Sequence, residues 1–197
     1  MTTIRYFRLT DRKDIPGRWL LSDPIDAKGQ PIDDPLHFAQ GLPVPAGARY
    51  RIAVERPGKA LDFSLPSAGV TPIVHKKVAT LFTELAPGDV QAIPVDINGQ
   101  SEPYFILVAT RNVRCIDDRA CEKVEFWKPE DGEKELVGQY RSVVGLRIDP
   151  AKVGGVQVFR PWGWTVALIV SETIKTALER ARVSGMAFKE VTGSKPG

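Results

Sequence analysis

Apolar positions after Thr71 fall into helical spacing: Val74, Val78, Leu81, Phe82 and Leu85 stand at i, i+4, i+7, i+8 and i+11. A helix turning about 100° per residue gathers such positions on one face. Thr71 offers a capping hydroxyl, Pro72 suits a first turn, and Ala86-Pro87-Gly88 stops the run. The pattern predicts a helix over about 72–85. A second helix is predicted over about 172–183, where Ile174, Ala177, Leu178 and Ala181 share a face. Ser171 caps it, Glu172 sits at the positive end of its dipole, Arg180 and Arg182 sit at the negative end, and Gly185 terminates it.

Period-two alternation and β-rich runs mark the strands. Residues 4–9 and 49–55 alternate. Residues 90–97 alternate around Pro94, which predicts an edge strand or a bulge because proline lacks a ladder donor. Asn98-Gly99 is a tight-turn signal, and the apolar run 104–109 reads as a central strand. Cys115-Ile116-Asp117 begins a short element, Val124–Trp127 alternates, and Lys128–Lys134 is a charged turn around Gly132. Residues 143–148 and 156–159 are further strands, and 164–170 is the strongest one. Before Thr71 the chain is punctuated by Pro16, Pro24, Pro31, Pro35, Pro43, Pro45, Pro57 and Pro66, which exclude long helices. The fold class predicted is α+β, a mixed or antiparallel sheet packed with two main amphipathic helices. The expected organisation is a proline-rich segment of loops and short strands over 1–59 packed on the core, an α+β domain over 60–191, and a frayed tail over 192–197. The main core is expected within 71–191, with 1–70 wrapped around it.

Charge adds little to this picture. The net charge is +3, and the portions before and after residue 70 carry +2 and +1, so neither is a basic arm or an acidic tail. That balance argues against a nucleic-acid partner. The first residues hold no apolar signal-like run, and the longest apolar stretch, Val166–Val170, is far short of the about 20 residues a membrane span needs. A cytoplasmic protein is expected. Cys115 and Cys121 are too few for a disulfide framework and supply at most two of the four ligands of a structural zinc. No metal and no cofactor are expected.

The search for catalytic chemistry finds no frame. His37 lies between Leu36 and Phe38 and reads as a packed loop residue; His75 reads as an exposed or half-buried helix residue. There is no nucleophile elbow, zinc-protease motif, dinucleotide fingerprint or phosphate loop. Asp33-Asp34 and Asp117-Asp118 read as turns, since neighbouring side chains on a strand point to opposite faces. The run Glu130-Asp131-Gly132-Glu133-Lys134-Glu135 is a solvated hairpin loop or an acidic contact for a basic partner. Phe159-Arg160-Pro161-Trp162-Gly163-Trp164 combines the residue types that dominate binding hot spots, which also pack well in cores. On an extended segment Trp162 and Trp164 would share a face.

An ordered series of pieces over about 60–191 resembles a bacterial family. It runs from Leu61-Asp62-Phe63 through Val78-Ala79-Thr80-Leu81-Phe82, Ile93-Pro94-Val95, the 104–108 strand, Cys115-Ile116-Asp117 and Gly138-Gln139-Tyr140-Arg141. It continues through Leu146-Arg147-Ile148-Asp149 and Val158-Phe159-Arg160 to Leu168-Ile169-Val170-Ser171-Glu172 and the stretch from Gly185 to Val191. These resemble the immunity proteins of polymorphic toxin systems, the eleventh numbered immunity class, formerly a domain of unknown function. The resemblance implies a non-enzymatic protein that binds and neutralises a cognate toxin domain encoded by a neighbouring gene. The family offers no catalytic motif to carry over. Arg160, Trp162 and Trp164 are the candidate toxin-binding residues. Two other readings stand beside it: an adaptor or chaperone-like module for a secreted effector, and an enzyme with a site of Asp, Arg and Tyr side chains.

Overall fold

The computed structural model describes residues 4–67 and 69–193, so most of the expected terminal tail, 194–197, lies outside the described residues. The chain opens with strands β1 (Tyr6–Asp11), β2 (Leu20–Leu21), β3 (Ile25–Asp26), β4 (Tyr50–Ile52) and β5 (Val54–Arg56). Next come β6 (Phe63–Ser64), β7 (Ile73–His75), helix α1 (Lys76–Leu85), β8 (Val90–Ile97) and β9 (Tyr104–Ala109). After β10 (Asn112–Val113), β11 (Lys123–Phe126) and β12 (Tyr140–Val144), the chain closes with β13 (Val158–Pro161), β14 (Leu168–Ser171), helix α2 (Glu172–Arg180) and β15 (Met186–Glu190). The fold is α+β, as the periodicity predicts.

The strands form a five-stranded sheet in the order β10-β13-β14-β1-β15 and a six-stranded sheet in the order β3-β4-β8-β9-β7-β6, with β2–β5 and β11–β12 as separate pairs. Both large sheets are mixed: β10–β13 and β4–β8 are parallel, and the other pairs are antiparallel. α1 packs on β7, β8 and β9, α2 packs on β1 and β14, and the helices pack on each other. This arrangement explains the continuous apolar runs. In β9, Leu107 and Ala109 face a central core with Phe7, Val78, Phe82, Ile174 and Leu178, while Tyr104, Ile106 and Val108 face a second core with Trp19, Phe38, Tyr50 and Ile52. In β14, Leu168 and Val170 face the central core, and Ile169 faces a third core built from 113–156 with Tyr6 and Phe159. A strand covered on both sides needs apolar residues at every position, which removes the alternation that a half-exposed strand would show.

Several expected elements move, each for a local reason. α1 begins at Lys76, not 72, because Ile73–His75 pairs with β6 and β9 as β7. His75 is its N-cap, with Nδ1 accepting from the Lys77 N–H at 3.2 Å; Thr71 is buried and does not cap it. α2 ends at Arg180, short of 183. Its terminus is a Schellman turn in which the Arg182 and Val183 N–H groups donate to the Glu179 and Leu178 carbonyls. Arg182, at φ +50°, takes the left-handed position usually given to glycine. Gly185 serves elsewhere: a Cβ there would run into the Phe63 carbonyl oxygen. β8 is interior rather than an edge strand or bulge, and Pro94 is accommodated because β4 pairs only from Val95 onward. The predicted strand over 164–170 is confined to β14, since Trp164–Ala167 forms a turn.

The N-terminal segment does more than wrap around a core held by 71–191. β1 is hydrogen-bonded between β14 and β15, and Trp19, Phe38, Tyr50 and Ile52 fill the second core. The two large sheets meet where Leu61-Asp62-Phe63 crosses the start of β15. There the Phe63 N–H donates to the Ser184 carbonyl at 3.1 Å, and Asp62 accepts from the Ser184 N–H and hydroxyl, both at 2.7 Å. Lys77 Nζ lies 2.8 Å from the same carboxylate. Burial alone would raise the Asp62 pKa, but the bonds from Lys77 and Ser184 outweigh it and hold the carboxyl below its ordinary value.

Candidate interaction surface

The Phe159–Trp164 hexapeptide is buried from Phe159 to Pro161 and half-buried from Trp162 to Trp164. Arg160 lies on β13 and is 1% exposed. Its Nη2 donates to the Val70 carbonyl at 2.7 Å and its Nη1 to those of Thr165 and Val166 at 3.2 and 3.4 Å, while Nε has no partner. Burial, with repulsion from Arg8 added, lowers its pKa to about 9. Its contacts tie β13 to Val70 and to the turn before β14, and all are internal. Trp164 is half-buried against the third core, with its indole N–H buried and unpaired. Trp162 is half-buried, and the Arg114 guanidinium stacks 3.2 Å from its ring centroid. The two indoles do not follow from one extended strand, because the Trp164 N–H turns back to the Pro161 carbonyl and Gly163 adopts φ +75°.

The β11–β12 hairpin abuts this turn. The Tyr140 N–H donates to the Gly163 carbonyl at 3.1 Å, and a Cβ on Gly163 would stand 3.2 Å from the Tyr140 ring. The hairpin pairs antiparallel with an irregularity at Glu125/Phe126, and its loop carries short 3-10 turns at Pro129–Asp131 and Lys134–Leu136. Phe126 and Tyr140 stack with centroids 4.8 Å apart. Arg141 lies 5.2 Å over Trp127 and donates to Asp131 at 3.0 Å. The Tyr140 hydroxyl donates to Asp118 at 2.6 Å; burial first, then that carboxylate, raise its pKa. Phe126 and Val144, at opposite ends of the strand pair, and Val137 in the loop remain 40%, 45% and 42% exposed. A cavity of about 570 Å³ opens among Val124, Phe126, Glu125, Glu130, Asp131 and Arg141.

Residues 60–193 match the model of the Immunity protein family (Imm11). The chain belongs to that family. No curated protein matches it. The Imm11 match opens beside Asp62 and closes just after β15. It encloses the hairpin, Arg114 and the Trp162 turn, and it leaves β1 to β5 outside.

The remaining chemistry-bearing residues of this Imm11 chain are engaged in structure. His75 caps α1 while its Nε2 lies 3.4 Å from Glu102, and His37 packs edge-on against Phe38. Asp34 accepts from the Leu36 N–H, and Asp117 from those of Arg119 and Ala120, which are turn contacts. Cys115 and Cys121 are both free and buried. Burial pushes the Cys115 thiol up to about 12 and raises that of Cys121, so neither is an activated thiolate. Sequence reasoning missed Arg114, Phe126, Trp127, Tyr140 and Arg141 as a group. The alternation at 124–127 placed Phe126 on a strand, but only the pairing of β11 with β12 and the turn at Gly163 bring these residues together.

Proposed function

We propose that this Imm11 protein binds a cognate toxin domain encoded by a neighbouring gene and neutralises it by stoichiometric occlusion in the producing cell's cytoplasm. Family membership across 60–193 carries this reading. The protein acts by binding rather than by chemical reversal of damage: its histidines, cysteines and paired aspartates serve as caps, turn contacts and core. Among the described residues no helix is long and apolar enough to cross a membrane. A blocking complex of this kind typically buries about 1,600 Å² in total, anchored by a few aromatic or arginine side chains.

Titrating a fixed amount of the neighbouring toxin domain with this protein tests the reading. Inhibition should rise linearly and saturate at a fixed molar ratio, with a complex of the same stoichiometry on sizing. Neutralisation of many toxin molecules per molecule of this protein would overturn occlusion.

A further inference from the structure

We infer that the toxin-facing surface is the outer side of the β11–β12 hairpin together with the Trp162 turn, and that it fits a basic face of the partner. The inference rests on the proposed toxin-binding function and adds to it a surface and a partner chemistry.

Three observations converge on this hairpin. The first is apolar exposure: Phe126, Val137 and Val144 present large side chains to solvent within one short segment. Among the described residues no third strand continues this pair, and Lys123, Glu125, Phe126, Arg141 and Val144 are exposed. The second is preorganised aromatics. Arg114 holds Trp162, Arg141 holds Trp127, and Phe126 stacks on Tyr140. Side chains already fixed by stacking lose little rotamer freedom on binding, which is what makes aromatic anchors effective.

The third observation is charge. Residues 128–135 carry Glu130, Asp131, Glu133 and Glu135 against Lys128 and Lys134, a local excess of acid in a chain of net charge +3. Asp131 is engaged by Arg141, whereas Glu133 and Glu135 are exposed and enter no ion pair among the described residues. The cavity beside them is lined by Val124, Phe126, Glu125, Glu130 and Asp131 together with Lys128 and Arg141, and its three carboxylates are met by Lys123, Lys128 and Arg141. The carboxylates left for a lysine or arginine of the partner are those of Glu133 and Glu135, and its aliphatic stem can lie along the exposed apolar side chains of the hairpin. An acidic rim around an apolar centre also speeds encounter with a basic face.

The test measures binding of the full chain to the toxin domain encoded by the neighbouring gene, by surface-immobilised kinetics at several salt concentrations. Combined Glu130→Lys, Glu133→Lys and Glu135→Lys should lower the association rate at least tenfold and flatten its salt dependence. Phe126→Ala and Trp162→Ala should each accelerate dissociation at least tenfold. All these side chains are exposed or half-buried, so thermal midpoints check that the variants stay folded. Amide-exchange protection of residues 123–144 in the wild-type complex needs no variant at all. Wild-type binding with unchanged affinity in every variant and no protection of the hairpin would overturn this surface while leaving the toxin-binding function intact. No wild-type binding would overturn both. A concentration-dependent dimer of the free chain that Phe126→Ala abolishes would assign the face to a second copy and overturn the inference.

Discussion

Arg160 carries its charge into the core and is held by three carbonyl oxygens, with no carboxylate among its bonded partners. Sequence marked it as a candidate because arginine suits interfaces; nothing in Val158-Phe159-Arg160 tells an inward guanidinium from an outward one, since β13 is buried at every position. Arg182 is the opposite case, an exposed residue whose backbone is strained. Its φ of +50° costs a side chain bearing a Cβ about 1–2 kcal/mol, while glycine gives back part of that through a freer unfolded chain. Arg182→Gly should therefore raise the denaturant midpoint by an amount equivalent to about 0.5–1 kcal/mol. A lower midpoint would show that the arginine side chain matters more than the strain. Gly185 admits no such freedom, because its φ of +95° is combined with backbone contact to Phe63. Gly185→Ala should cost on the order of 3 kcal/mol or more, read in the same melts. Cys115 allows a test against pH. Its folded pKa of about 12 lies above the ordinary 9.0, so the stability it contributes is complete below pH 9 and is lost as pH rises from there through 12. Cys115→Ala should flatten the fall of unfolding free energy over that window. A slope equal to wild type would mean that the thiol titrates alike in both states.

The amphipathic face of α1 was legible from Val78 to Phe82, whereas Leu85, expected on that face, is exposed; the Ser171 cap of α2 was legible too, its hydroxyl accepting from the Ile174 N–H at 3.4 Å. The first helical turn was not legible. Val74 satisfies helical spacing with Val78, yet it is equally apolar as a strand residue, and its partners on β6 and β9 lie 11 and 31 residues away. Local spacing cannot weigh a distant ladder. Pro94 misled for the same reason: the donor it lacks is missed only where a neighbour is present, and β4 starts one residue later. The candidate surface was less legible still, because Trp162 and Phe126 become neighbours only through the Gly163 turn. β1 shows most plainly what long-range pairing contributes, since it bridges β14 and β15 with a register covering all six of its residues. Removing residues 1–12 would leave two unpaired edges in mid-sheet and strip Phe7 and Leu9 from the central core. That deletion should abolish the cooperative thermal transition and give protein that binds a hydrophobic dye. A sharp native-like melt would show that the sheet closes without β1.

At the scale of the molecule, three cores lean on shared strands rather than standing as separate units. β9 is lined by the central and second cores on its two faces, and β1 and β14 by the central and third. Loss of either outer layer exposes the back of a strand that the central core requires, so the layers should unfold together. The N-terminal segment is bound into both large sheets, through β1 in one and β3–β4 in the other, and through Trp19, whose indole N–H donates to Ser64 at 3.0 Å. Trp19 therefore reports on the second core, while Trp164 reports on the third. Two variants, one retaining Trp19 and the other Trp164 as the only tryptophan, should give fluorescence transitions that each coincide with that variant's far-ultraviolet circular dichroism in a urea titration. The urea slope should match the surface of about 197 residues unfolding at once. A Trp19 transition that precedes the loss of secondary structure would separate residues 1–59 as a layer that detaches first. The fragment 60–197 would then be expected to fold and to keep the proposed toxin binding. Coincident transitions instead make that fragment unstable, so that a toxin-binding assay needs the full chain even though the matched family region begins only at residue 60.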